Sequence, residues 1–227
     1  GAVVHASTLT LFQIDSVAMN NMLLMAIKPD ARILFQNIRE VRLTYLLLGI
    51  DLEEVARTAG LFRGRHTSFF LYMSNGRLGA LSSACLGDTL GAGLKVLSLV
   101  FNQIDSVESG AFAGLAGLKE LWLNDNNIGA LAPRAISPLL GLHKLCLSLN
   151  QIGAVECADA FAGLDSLLSL HLQFNGIRRI HADAFAPLCS LHTLNLNNNQ
   201  LGDALADTPG LFAPLGTPPA VLDRVHA

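Results

Sequence analysis

A chain of 227 residues that is 51% hydrophobic and only 15% charged can build one substantial core, but it carries too little charge to cover the surface around it. Its formal net charge of -3 supplies no basic field for nucleic acid and no strong acidic field either. The longest apolar runs, such as Tyr45–Ile50 and Met22–Ile27, are too short to span a bilayer, so a nucleic-acid partner and a transmembrane segment are both unexpected.

Residues 1–40 read as a degenerate N-terminal repeat or cap. The phrase LFQIDSV at Leu11–Val17 is echoed by LFQNIREV at Leu34–Val41, as decayed repeats would be. A short helix over Val17–Ile27, ended by Pro29, is the alternative, because Met, Leu and Ala favour helix. Gly1–Asp15 lacks a charged region followed by an apolar block, so it does not read as a signal peptide; a leader removed before Gly1 stays open. From Leu43 a beat begins. Leu43, Leu46 and Leu48 precede Asp51 by 8, 5 and 3 residues, and Phe70 and Tyr72 then stand before Asn75. This phase turns Tyr45, Leu47 and Gly49, and then Phe69, Leu71 and Met73, outward.

The beat is regular from Leu94 to Leu201. Asn102, Asn126, Asn150, Asn175 and Asn199 are separated by 24, 24, 25 and 24 residues. Each closes the same phrase: LKVLSLVFNQI, LKELWLNDNNI, LHKLCLSLNQI, LLSLHLQFNGI, LHTLNLNNNQL. A period of this length marks a solenoid, in which each unit buries its apolar edge against its neighbours. Alternation within each LxL makes that segment a strand with one face in and one out. After each asparagine two inward aliphatics follow (Ile104/Val107, Ile128/Leu131, Ile152/Val155, Ile177/Ile180), then a plug (Phe112, Ile136, Phe161 or Phe185) and a leucine three residues on. Gly110, Gly114, Pro133, Pro138 and Pro187 in these returning segments predict turns or short 3₁₀ pieces rather than long helices. Leu211, Phe212 and Leu215 imitate one more plug step before Pro218 and Pro219 stop the sheet. The solenoid is therefore expected over 41–205, with a C-terminal cap or tail over 206–227, all one structural domain.

The phrase LxxLxLxxNxI with its spaced Phe and Leu resembles the leucine-rich repeat family in its 24-residue form, strongly over Leu94–Leu201 and weakly over Leu43–Gly93. The resemblance implies an α/β-type repeat solenoid: a right-handed superhelix with a parallel β-sheet on its concave face and a convex side of turns and 3₁₀ segments. It also implies that Asn75, Asn102, Asn126, Asn150, Asn175 and Asn199 form a structural ladder. An amide offers two donors and an acceptor, enough to satisfy loop backbone that would otherwise be buried unpaired. Asp51 cannot donate when ionised. The chain lacks the capping cysteine clusters of many extracellular members and any accompanying kinase, nucleotide-binding or ligase segment, which leaves a bare recognition scaffold.

With the phase set, residues 6, 4 and 2 before each asparagine form three concave columns, on strands about 4.8 Å apart. The early columns, with Phe69, Leu71 and Met73, would make an apolar patch of the kind monomers seldom leave bare. Misphasing of these units, or cover by the N-terminal segment, is the competing account. Later columns carry Glu120, Trp122, Asn124, Lys144, His171, Gln173 and Asn195, a Trp amid hydrogen-bonding residues, as in an interface anchor. The expected function is a non-catalytic scaffold that binds a protein through this face. The alternative is a structural subunit permanently packed in a larger assembly, which could be membrane-associated.

A cysteine hydrolase is a remote third. Cys146, His171 and Asn195 share one column, but nothing supplies an oxyanion hole and an open sheet is wet. The same residues with His143 and His192 lack compact zinc spacing, so neither metal nor cofactor is assigned. Glu120 opposite Lys144 reads as a surface ion pair. Scattered Cys85, Cys146, Cys157 and Cys189, with no Asn-x-Ser/Thr sequon, fit an intracellular or organellar setting better than a secreted one.

Overall fold

The computed structural model describes residues 16–19, 40–44, 69–74, 78–82, 91–202 and 210–215. In chain order its strands are β1 (Ser16–Met19), β2 (Glu40–Thr44), β3 (Phe69–Ser74), β4 (Leu94–Ser98), β5 (Ser106–Val107), β6 (Glu120–Trp122), β7 (Ala130–Leu131), β8 (Lys144–Cys146), β9 (Ala154–Val155), β10 (Ser169–His171), β11 (Arg179–Ile180) and β12 (Thr193–Asn195). β1, β2, β3, β4, β6, β8, β10 and β12 pair in that order into one parallel sheet of eight strands. The described crossovers after β4 run behind the sheet, where β5 pairs with β7 and β9 with β11. The described residues thus form a parallel-sheet solenoid with little helix.

The returning segments are built from tight i−3 turns rather than helices. Leu115 N–H donates to the Phe112 carbonyl at 3.1 Å, and Leu118 to Leu115 at 2.9 Å. The same two steps recur at Ile136–Leu139–Leu142, Phe161–Leu164–Leu167 and Phe185–Leu188–Leu191. Each turn drives its plug into the core. Phe112, Ile136, Phe161 and Phe185 are fully buried, as are Leu115, Leu139 and Leu164. The phenyl rings of Phe161 and Phe185 stack at 6.0 Å, and Phe212 continues the stack at 6.1 Å from Phe185. Of the paired aliphatics after each asparagine, Leu131 alone is only half-buried.

The asparagines bind one repeat to the next. Asn150 Nδ2 donates to the carbonyl of Leu147 in its own turn at 3.0 Å and to that of Leu123 one repeat earlier at 2.9 Å. Its Oδ1 accepts the Ile128 N–H at 3.0 Å. Asn126 and Asn175 make the same three kinds of bond, and Asn102 reaches back to the Met73 carbonyl at 3.1 Å. The residue before each asparagine is left-handed: Phe101, Asp125, Leu149, Phe174 and Asn198 have φ of 54°, 57°, 55°, 59° and 56°. That conformation costs an L side chain about 1–2 kcal/mol, and the amide bonds hold it in place.

The early units depart from the expected phase. β3 pairs Leu71 with Leu97, and Asn102 treats Met73 as Asn126 treats Leu99. Both Leu71 and Met73 are fully buried, so they belong to the core and not to the concave surface. The slip is a single residue, which is enough to exchange the two faces of a strand. Its cause is uneven spacing: Leu71 precedes its partner Leu97 by 26 residues, and Val41 precedes Leu71 by 30. A register shift between Phe69 and Phe70 absorbs part of the irregularity. Asn75, Asp51, Tyr45, Leu47 and Gly49 lie outside the described residues. Thr44 ends β2, so Leu43 pairs with Met73 near the end of its strand rather than at its start. The alternative helix at Val17 is overturned over 17–19, where β1 joins the sheet with Val17 opposite Val41, the closing residues of the two echoed phrases.

Three substitutions test this scheme. Asn150→Ala should lower unfolding free energy by about 1–3 kcal/mol in urea titration, because it strands the Leu123, Leu147 and Ile128 backbone groups. At Gly163 φ is +81° and an added Cβ would stand 2.7 Å from the Ser137 carbonyl oxygen, whereas at Gly153 it would meet nothing within 4 Å. Gly163→Ala should therefore cost about 1–3 kcal/mol, while Gly153→Ala should be neutral or stabilising by up to about 1 kcal/mol.

Candidate functional site

The register defines the concave face. Its first column is Phe70, Val96, Glu120, Lys144, Ser169 and Thr193, and its second is Tyr72, Ser98, Trp122, Cys146, His171 and Asn195. Phe70 and Tyr72 therefore take the places expected of Phe69 and Leu71, and both are half-buried. Phe69 lies opposite Leu94, before the shift. The corrected phase was hidden in the sequence because the lengths of the two early crossovers do not follow the beat.

Glu120, Trp122 and Lys144 form one cluster at the middle of the sheet. Trp122 Nε1 donates to Glu120 Oε2 at 3.1 Å, and Lys144 Nζ lies 4.1 Å from the centre of the indole ring. The expected Glu120–Lys144 ion pair is thus replaced by two contacts that share the indole. The carboxylate meets the N–H at the ring edge and the ammonium meets the electron-rich face. Trp122 is half-buried, and its row neighbours Ser98 and Cys146 are buried beside it. A large flat group held from two sides, with small neighbours, is a pre-set contact surface.

The next strand is polar. His171 Nε2 lies 2.9 Å from Ser169 Oγ. Burial, and then the charge of Lys144, hold the imidazole below its ordinary value of 6.5. Cys146 Sγ pairs with Ser148 Oγ at 3.3 Å, so the thiol and the imidazole each bond a serine of their own repeat. The Cys-His-Asn sequence of the column is therefore not wired as a nucleophile and base. Asn195 Oδ1 instead accepts the Asn197 N–H at 3.0 Å. Among the described residues no group of three His, Cys, Asp or Glu could hold a metal ion.

In the third column Asn124 Nδ2 donates to Asp125 Oδ2 at 2.6 Å, while Asn124 Oδ1, Gln173 Oε1 and Asn197 Oδ1 are sheltered acceptors without a donor. Beside this column runs the rim of left-handed residues, and three of them are large and apolar: Phe101 is 56% exposed, Leu149 47% and Phe174 49%. Sequence reasoning passed over this rim, although its signal was present as the residue immediately before each ladder asparagine. A furrow on the flank, lined by Gly129, Ala154, Val155 and Cys157, has its cations bonded within it, Arg179 Nη2 to Glu156 Oε1 at 2.7 Å and Arg178 Nε to the Gln200 amide oxygen at 2.8 Å. The concave face holds the less compensated chemistry.

The depressed His171 value has a stability consequence. Unfolding restores the ordinary affinity for a proton, so as pH falls below about 6.5 the unfolded chain gains protons before the folded one. The contribution of the neutral imidazole is present above that pH and is lost as pH falls through the folded value. Thermal unfolding of the wild type should therefore drop more steeply between about pH 7 and 5 than that of His171→Gln.

Family models described as leucine rich repeat match residues 92–152 and 141–201, and a further one matches 190–213. No curated protein matches the chain. Among solved structures, one described as the crystal structure of a TLR13–ssRNA13 complex superposes with a TM-score of 0.59 at 21% identity, over 82% of this chain and 33% of that one. The chain thus spans about a third of that protein's length, and the likeness concerns the fold. Among the described residues no helix is long and apolar enough to cross a membrane. The asparagine period, the parallel sheet with its turn-built convex side, and the family matches together place this chain in the leucine-rich repeat family.

Proposed function

We propose that this chain is a non-catalytic protein-binding scaffold that seats a partner on its concave face with Trp122 as the anchor. The observation that carries this reading is the half-buried indole held between Glu120 and Lys144 at the middle of the sheet. Binding energy concentrates at aromatic groups of this kind because they bury large area while losing little side-chain freedom. Protein binding is also the role typical of leucine-rich repeats. Around the anchor, His171, Gln173, Asn124 and Asn195 supply hydrogen-bonding groups, and Phe70 and Tyr72 supply aromatic surface toward the N-terminal strands. Leu71 and Met73 supply none.

A second reading, a subunit packed permanently in a larger assembly, rests on a different observation. Phe101, Leu149 and Phe174 expose about half of their side chains along one rim despite the conformational cost of their backbone. Light scattering on the purified chain separates the two. A stable monomer at micromolar concentration counts against obligate assembly, and self-association relieved by Phe101→Ser with Phe174→Ser counts for it.

Trp122→Ala should weaken partner binding by about 1–2 kcal/mol, or roughly five- to thirtyfold in Kd, with the fold retained. Calorimetry showing unchanged affinity would remove the concave-face reading.

A further inference from the structure

Two groups of cations stand apart among the residues from Leu94 onward. On the convex turns the arginines are matched across one repeat: Arg134 Nε to Asp159 Oδ2 at 3.0 Å, Arg178 Nε to Gln200 Oε1 at 2.8 Å, and Arg179 Nη2 to Glu156 Oε1 at 2.7 Å. The lysines are placed otherwise. Of the four in the chain, Lys95, Lys119 and Lys144 all lie at the N-terminal edge of neighbouring concave strands. His143 adds to them, with Nε2 3.5 Å from Lys119 Nζ.

Among the described residues neither Lys119 nor Lys144 forms an ion pair with a carboxylate. Lys119 faces an imidazole and Lys144 an aromatic ring. The acid in their row, Glu120, has an oxygen engaged by the Trp122 N–H. In a chain of net charge -3, Lys119 and Lys144 stand against the one carboxylate of Glu120, which leaves this part of the edge with positive charge in excess. The rule of the convex side, an acid or amide for every cation, is broken here, beside the proposed anchor.

We propose that this edge receives the carboxylates of an acidic protein segment, seated between Lys119, His143 and Lys144 with an adjoining apolar side chain against Trp122. The inference rests on the concave-face reading and names the chemistry of its partner. Charge-assisted hydrogen bonds from two lysines suit carboxylates, and the indole beside them suits a mixed acidic and apolar segment. The extent of the patch favours a short segment over a nucleic acid. In the next two strands the equivalent positions are Leu168, exposed and apolar, and His192, whose Nδ1 is 2.6 Å from the Ser190 carbonyl oxygen. A polyphosphate backbone would need a longer track of cations.

The full chain can be tested directly, because Trp122 is its sole tryptophan and reports on the site. A hexaglutamate peptide titrated at low salt should change Trp122 emission saturably. Its affinity should fall roughly tenfold or more on Lys119→Gln with Lys144→Gln, and again on raising salt from about 0.02 M to about 0.2 M. Circular dichroism should be unchanged, since glutamine keeps most of the stem. The proposal is overturned by the absence of any emission change, by equal affinity for the double variant, or by tighter binding of a hexauridylate than of the peptide. Calorimetry on a peptide carrying both acidic and apolar residues distinguishes this failure from that of the parent reading. Affinity lost in Trp122→Ala but kept in the lysine variant overturns the acidic assignment alone. Affinity lost in the lysine variant but kept in Trp122→Ala overturns the anchor.

Discussion

Asn126, Asn150, Asn175 and Asn199 each bond carbonyls in two successive turns and a backbone N–H in the turn before, and most of what is distinctive in this solenoid follows from that linkage. A buried loop carries polar groups that neither water nor a strand can satisfy, and one primary amide supplies both donors and an acceptor within a single short side chain. Because the bonds cross from one repeat to the next, they set the stacking distance as well as the turn. They also hold the preceding residue left-handed. Glycine is absent from that position, and the amide bonds keep even phenylalanine and leucine there, directed to the rim. A structural device thus dictates a surface feature.

The same linkage explains how the concave face is organised. Carbonyls tied at one end and plugs buried at the other leave the three outward positions of each strand under little structural demand. Chemistry can accumulate there without disturbing the core. The middle of the sheet uses that freedom to hold an indole between a carboxylate and an ammonium, both supplied by the row next to its own. The flank and convex turns, by contrast, close their charges on themselves. The difference between a surface that satisfies its own polar groups and one that does not is what supports the proposed concave-side function.

How far the sequence could be read depended on how regular it is. From Leu94 onward, spacing assigned every leucine, plug and asparagine to its direction, because side-chain direction alternates with period two and the asparagine sets the origin. Toward the N-terminus the repeats lengthen to 26 and 30 residues between paired positions, and no spacing rule says where the extra residues sit. The beat consequently places Leu71 and Met73 on the wrong face, and Phe70 and Tyr72 in the core. Amphipathic pattern could not correct this, since the FFLYM stretch is apolar on both faces. Within the site, the columns identified Glu120, Trp122 and Lys144 as neighbours but suggested a direct ion pair. Rotamer choice around the indole decided otherwise.

By itself, then, the sequence determined the repeat, the family, the parallel sheet and the contents of the later columns, because these follow from period and from the obligatory pairing of buried backbone. Tertiary structure alone decided the phase of the early strands, the left-handed rim with its exposed Phe101, Leu149 and Phe174, and the bonds that join or separate side chains sharing a column. Those outcomes depend on crossover geometry and on competition between several partners for one polar atom, and a one-dimensional pattern records neither.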